Sequence, residues 1–288
     1  MTAKMQPWFT AILALGVLAV AAAPARAQPV FVFAESIECT VANADLVLVG
    51  KLVEFDEDET NDDQGRKATI AVEETLKVRF DESYEKIRVR LSYPESVFAD
   101  WKGHSRRLLV AIREESPRAT VIDLTPENLE VLTEDFELLR DPADVIRIAK
   151  ETVQRMPSAV KRIHTFRLLV PHDVFAKTRS AKGSGMYLSV PVDERLEKRA
   201  CDYLSSDDYS RRSEGVEALR YFKSDENIVR LKAALKDPGW GYLQHAEHNR
   251  GVEVRDYGVR REAYRILITW GIKTEKPLFR EEIVNLQK

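Results

Sequence analysis

His245 and His248 stand three residues apart in "QHAEHNRG". On a helix this spacing brings two imidazoles to one face, where they can ligate a metal. On a strand it turns them to opposite sides. No Cys or third His lies nearby, and the pattern is not the His-Glu-x-x-His of metalloproteases. These histidines are therefore read as surface residues. The run from Asp56 to Asp63 contains six acidic residues and suggests calcium, but an EF-hand loop started at Asp56 needs Gly sixth and Glu twelfth. The chain has Asn61 and Lys67 there, so a solvated loop is expected. Ser158 and Lys161 have the Ser-x-x-Lys spacing of some acyl-transfer enzymes without the companion Ser-Asp-Asn and Lys-Thr-Gly motifs. "KGSG" at Lys182 to Gly185 lacks the frame of a phosphate loop and reads as a turn. No nucleophile, base and orienting group assemble from these pieces. The expectation is no catalytic residue, no cofactor and no metal.

The compartment is written at the N-terminus. Lys4 precedes an apolar stretch from Trp8 to Ala23, followed by Pro24 and the small-x-small triplet Ala25-Arg26-Ala27. That is the layout of a secretory signal peptide cleaved after Ala27, and the stretch falls short of the ~20 apolar residues a spanning helix needs. The expected location is secreted or periplasmic, with no membrane attachment after cleavage. Loss of Lys4 and Arg26 takes the net charge from −3 to −5, a balance with no footprint for nucleic acid. In an oxidising compartment Cys39 and Cys201 either pair or remain two thiols, and the sequence leaves both open.

The elements that position these residues fall into three stretches after a leader at 1–27. Residues 28–125 are expected to be β. "ADLVLVGKLVEF", "ATIAVEETLKV", "EKIRVRLS", "RRLLVAIREE" and "ATVIDL" read as five short strands, with Ile87, Val89 and Leu91 alternating against Lys86, Arg88 and Arg90. Five strands in so short a stretch suggest a small barrel. Residues 126–200 read as an α/β connecting segment, with a helix from Pro142 to about Arg155 capped by Asp141. Strands follow in "IHTFRLLVP" and "AKGSGMYLSVPV". Residues 201–288 are helical. Val216, Leu219 and Phe222 share one face, as do Ile228, Leu231 and Leu235, and Val259, Ala263, Ile266 and Trp270. The insert Gly239 to Gly258, with Asn249-Arg250-Gly251 as a turn signal, reads as a β-hairpin.

Two of these stretches resemble known families. Ala44-Asp45, then "LVLVGKLVEF", "TIAVEETLKV" and the closing "LLVAI", is similar to the netrin-like domains, OB-type barrels related to the tissue inhibitors of metalloproteinases. Those inhibitors present an N-terminal Cys to the protease zinc. Here the predicted mature N-terminus is Gln28-Pro29 and Cys39 lies inside the chain. Residues 205–271 resemble HEAT-type helical repeats, through the Asp237-Pro238 turn and the spacing Val259-Arg260-x-x-Ala263. Together they give an α+β, multidomain chain: an OB-like barrel, an α/β middle, and HEAT-like helices with a hairpin insert. The expected function is that of an exported, non-catalytic protein-interaction module with an unidentified protein partner. The alternative is a secreted enzyme or protease-inhibitor-like protein whose site is spread along the chain. The candidate partner surface is the hairpin, with Trp240 and Tyr242 near its root and His245, His248 and Arg250 near its tip.

Overall fold

The computed structural model describes residues 31–56, 65–78, 84–113, 116, 119–156, 163–179, 181, 183–242 and 252–284. The leader expected at 1–27, the acidic run after Asp56, Ser158 and Lys161 all lie outside the described residues.

The described chain opens with strand β1 (Phe31–Glu35) and helix α1 (Ile37–Ala42). Ser36 caps α1 by accepting from the Cys39 N–H at 3.0 Å. The C-terminal carbonyls of Val41 and Ala42 accept from the Lys77 ammonium at 3.2 and 3.0 Å. Next come β2 (Leu46–Phe55), β3 (Arg66–Lys77) and β4 (Lys86–Leu91), all antiparallel neighbours. Helix α2 (Glu95–Gly103) leads to β5 (Arg107–Ile112), which pairs with β2, and then to β6 (Thr120–Asp123), which pairs with β5. The five strands expected from sequence are thus present, in the order β4-β3-β2-β5-β6. Both faces of β2 are buried, which is why it reads as a dense apolar run rather than an alternation. Leu46, Leu48 and Leu52 pack with Phe98 and Trp101 of α2, and Val47 and Val49 pack towards α1.

The expected barrel is not closed. β4 and β6 remain the two edges of an open sheet. A backbone bond from the Ala119 N–H to the Arg90 carbonyl (3.0 Å) and one from the Tyr93 hydroxyl to the Val121 carbonyl (3.3 Å) cross between them. Closure requires a continuous ladder at a fixed stagger, and β6, four residues long, is too short to supply one.

The middle segment begins with a small hairpin, β7 (Val131–Leu132) and β8 (Leu138–Leu139). Helix α3 (Pro142–Arg155) follows the expected boundaries, and the Asp141 carboxylate accepts from the Ala143 N–H at 2.8 Å. Strand β9 (Thr165–Leu169), the short helix α4 (His172–Phe175) and β10 (Gly185–Pro191) come next. β10 pairs with β9 on one side and, in parallel, with β1 on the other. No pattern in the sequence links residues ahead of the five-stranded sheet to the middle of the chain.

Four helices follow: α5 (Glu194–Leu204), α6 (Tyr209–Leu219), α7 (Asp225–Ala234) and α8 (Gly258–Thr269). The predicted stripes face inward: Val216, Leu219, Leu231, Val259, Ala263 and Ile266 are buried in one cluster with Phe166, Leu168 and Leu188 of the sheet. Between α7 and α8 the insert is a hairpin as expected, with β11 (Gly241–Tyr242) antiparallel to β12 (Val252–Asp256). A final strand, β13 (Arg280–Val284), pairs with β12. The chain is therefore mixed α and β throughout. No helix among the described residues is long and apolar enough to cross a membrane.

Candidate functional site

The root of the hairpin is bolted to α6. Tyr209, the first residue of α6, accepts from the Gly258 N–H at 3.0 Å and donates to the Asp256 carbonyl at 3.4 Å. A Cβ on Gly258 would lie 2.5 Å from that hydroxyl, so only glycine lets the two segments approach this closely. Arg212 grips Asp237 with two bonds (2.7 and 3.2 Å) and donates to the Ser206 and Asp207 carbonyls from its remaining amine. Trp240 is half-buried there, with the Arg255 guanidinium 4.5 Å from its ring centre. Tyr242 sits on β11, its backbone opposite Arg255. Of the two aromatic residues that sequence assigned to a partner surface, Trp240 thus stands half-buried at the hairpin root. His245, His248 and Arg250 lie outside the described residues. Cys39 and Cys201 do not pair: Cys39 is buried in α1 with its thiol pushed up to about 12 by burial, and Cys201 is a half-buried free thiol on α5.

A buried ion cluster, not foreseen from sequence, joins the segments. Glu134, 2% exposed in the turn between β7 and β8, receives Arg155 of α3 and Arg195 of α5 on one carboxylate oxygen, each at 2.8 Å. Its carbonyl accepts from Arg199, and its N–H donates to a carboxylate oxygen of Glu38 on α1 at 2.9 Å. Asp193 caps α5 with one oxygen, and its other oxygen lies 3.6 Å from Arg155. Glu38 has no arginine of its own among the described residues. Burial, with the Glu134 charge beside it, pushes its carboxyl up to about 7. Two close carboxyl groups with unequal environments are the raw material of acid–base catalysis. Here the pair is sealed beneath three elements, and the bonds it makes are those of a brace.

The exposed chemistry lies on the sheet of β1, β10 and β9. One face carries Val32, Ala34, Leu188 and Phe166 into the helical core. The opposite face carries Phe31, Phe33 and Tyr187. Phe33 is 62% exposed and stacks on Tyr187 with ring centres 5.8 Å apart, while Phe31 tilts against the same ring at 5.3 Å. The Arg167 guanidinium covers Phe33 at 5.0 Å. The outer edge of β9 is plugged from α6: the Glu214 carboxylate accepts from the Leu169 N–H (2.8 Å), and Arg211 donates to the Leu169 carbonyl (3.2 Å). β1 forms the other edge, with its aromatic side chains turned outward. The only hint in the sequence is "FVFAE", whose two Phe alternate with smaller apolar residues.

No known protein-family model matches the chain, and neither a curated protein nor a solved structure matches it.

Proposed function

We propose that the chain is an exported, non-catalytic protein-interaction module, in which an OB-like sheet and a HEAT-like set of helices support an aromatic recognition face. The exposed stack of Phe31, Phe33 and Tyr187 carries this reading. Large aromatic rings on an uncovered sheet face are costly in water, and aromatic and Arg side chains dominate the energetics of protein interfaces. Arg167, already lying on Phe33, adds a cation at the patch. The open five-stranded order, a meander followed by two strands with a helix between the third and fourth, supports the OB-like reading. The helices that place Val259, Ala263 and Ile266 on one buried stripe support the HEAT-like reading. The hairpin tip, with His245, His248 and Arg250, remains a second candidate contact.

A photo-crosslinking residue at position 33, compared with one at the exposed Val229 on α7, tests the proposal in the native envelope fraction. The protein trapped from position 33 alone is then purified and its binding to the mature chain reconstituted. F31S/F33S is expected to weaken that binding at least about tenfold while the melting temperature stays near wild type. H245A/H248A/R250A weakens it further if the tip contributes. Unchanged affinity in F31S/F33S removes the aromatic face, and turnover of a substrate panel favours a secreted enzyme instead. Mass spectrometry of the exported chain is expected to place its N-terminus at Gln28.

A further inference from the structure

Between the hairpin β7–β8 and the end of α4 lies a cleft of about 570 Å³, lined by Phe136, Glu137, Leu138, Arg140, Val174 and Lys177. Both walls are anchored from behind. Beyond α4, the Thr178 hydroxyl donates to the Phe175 carbonyl at 2.8 Å and the Arg179 N–H to Glu130 at 2.7 Å. In the hairpin, Glu134 is locked into the buried ion cluster. Phe136 follows in the same turn with φ of 63°, at the left-handed corner of a short hairpin loop where glycine is the usual residue. Such a conformation persists only where its surroundings impose it, and it gathers at functional sites. Here the Arg199 and Arg211 guanidinium groups lie 5.3 and 5.7 Å from the ring centre and hold the ring in the cleft wall.

The lining offers three kinds of group. Phe136, Leu138 and Val174 are half-buried, packed against the helical core on one side and open to the cleft on the other. Arg140 makes one bond, to the Lys177 carbonyl at 3.0 Å, and has no carboxylate partner among the described residues. The Lys177 ammonium has neither an ion pair nor a hydrogen bond among them. These two cations stand against the single carboxylate of Glu137 in the lining. The third group is main chain. The Thr133 N–H donates to the Glu137 carbonyl at 2.9 Å, so the alternation of an antiparallel ladder turns the N–H and C=O of Leu138 away from β7. No described residue takes them.

We propose that this cleft binds the C-terminus of a peptide that ends in an apolar residue. The terminal carboxylate meets Arg140 and Lys177, the last side chain lies on Phe136 and Val174, and the main chain before it pairs with Leu138 as an added strand. A fatty carboxylate satisfies the cations and the apolar floor but leaves the Leu138 carbonyl without a donor, so the peptide is the occupant that uses all three groups. The inference rests on reading the chain as an interaction module and adds a surface that shares no residue with the aromatic face.

Fluorescence anisotropy with an N-terminally labelled pentapeptide, Gly-Ser-Gly-Val-Leu with a free carboxylate, against the mature full-length chain tests it. Binding is expected to be saturable, unchanged in F31S/F33S, and at least about tenfold weaker in R140Q/K177Q with the melting temperature near wild type. K177Q alone removes no contact within the protein and is expected to weaken binding at least about threefold. The same peptide with a C-terminal amide is expected not to bind. No saturable binding to the wild type, equal binding of the amide, unchanged affinity in both charge variants, or displacement by octanoate at lower concentration than by unlabelled peptide each overturns the proposal. Failure of the peptide to bind while crosslinking from position 33 persists removes the cleft and leaves the module reading standing. Peptide binding without that crosslink removes the aromatic face and leaves the cleft.

Discussion

Glu38 is a buried acid with no cation paired to it among the described residues, and its cost depends on pH. Its folded-state carboxyl titrates at about 7 against an ordinary 4.5, a gap of about 3 kcal/mol. Below pH 4.5 the group is protonated in both the folded and the unfolded chain. Between 4.5 and 7 the unfolded chain releases the proton and the folded chain keeps it, so stability falls as pH rises through that window and levels off above it. The melting temperature of the wild type is therefore expected to carry a drop of several degrees between pH 5 and 7.5 that E38Q lacks, since the Gln amide does not titrate while its oxygen can still accept from the Glu134 N–H. Thermal melts of the two proteins at both pH values check this, and parallel curves would remove Glu38 as the cause. The cysteines give a second outcome at this scale. With Cys39 buried and no disulfide present, reductant is expected to leave the melting temperature unchanged. A thiol reagent should label Cys201 well before Cys39, and both at once only in denaturant.

At the scale of elements, α5 and α6 approach closely because Gly215 has no side chain. A Cβ there would stand 2.7 Å from the Ala200 carbonyl and 2.9 Å from the Tyr203 Cβ. G215V is expected to cost on the order of 2–3 kcal/mol, read from denaturant melts, by prying the two helices apart. The C-terminal helices α6 to α8, the capped start of α3 and the five strands of the large sheet were legible in the sequence because each owes its form to local chemistry. Asp141-Pro142 writes a helix start, and Ile87-x-Val89-x-Leu91 writes a half-buried strand. What escaped was set by distant partners. β1 reads poorly because its largest residues, Phe31 and Phe33, face outward, against the rule that apolar residues mark the core. α1 is one and a half turns of mixed residues, stabilised by Ser36 at one end and by Lys77 from another strand at the other. The Glu134 cluster gathers four elements, and no spacing along the chain announces it. The barrel expectation failed for a related reason: strand number was readable, but the length of β6 against its partner was not.

At the scale of the whole molecule, the C-terminal strand completes the hairpin sheet. β13 pairs with β12 along its full length, and the Tyr257 N–H donates to the Phe279 carbonyl at 2.8 Å. Removing residues 279–288 is expected to raise hydrogen exchange at the β12 amides between 252 and 256 by at least about tenfold, measured by mass spectrometry, with little change in β2. Equal protection in both forms would show that β12 stands without its neighbour. The parallel ladder from Phe31–Gly185 to Glu35–Ser189 has a kinetic consequence. The sheet strands β2 to β6 and α3 all lie between β1 and β10 in the chain, so this long-range ladder is expected to be among the slowest in the molecule to form. Until it forms, two phenylalanines ride on an unpaired, flexible strand. During that interval Phe31 and Phe33 form an exposed apolar stretch of the kind through which incompletely folded chains associate.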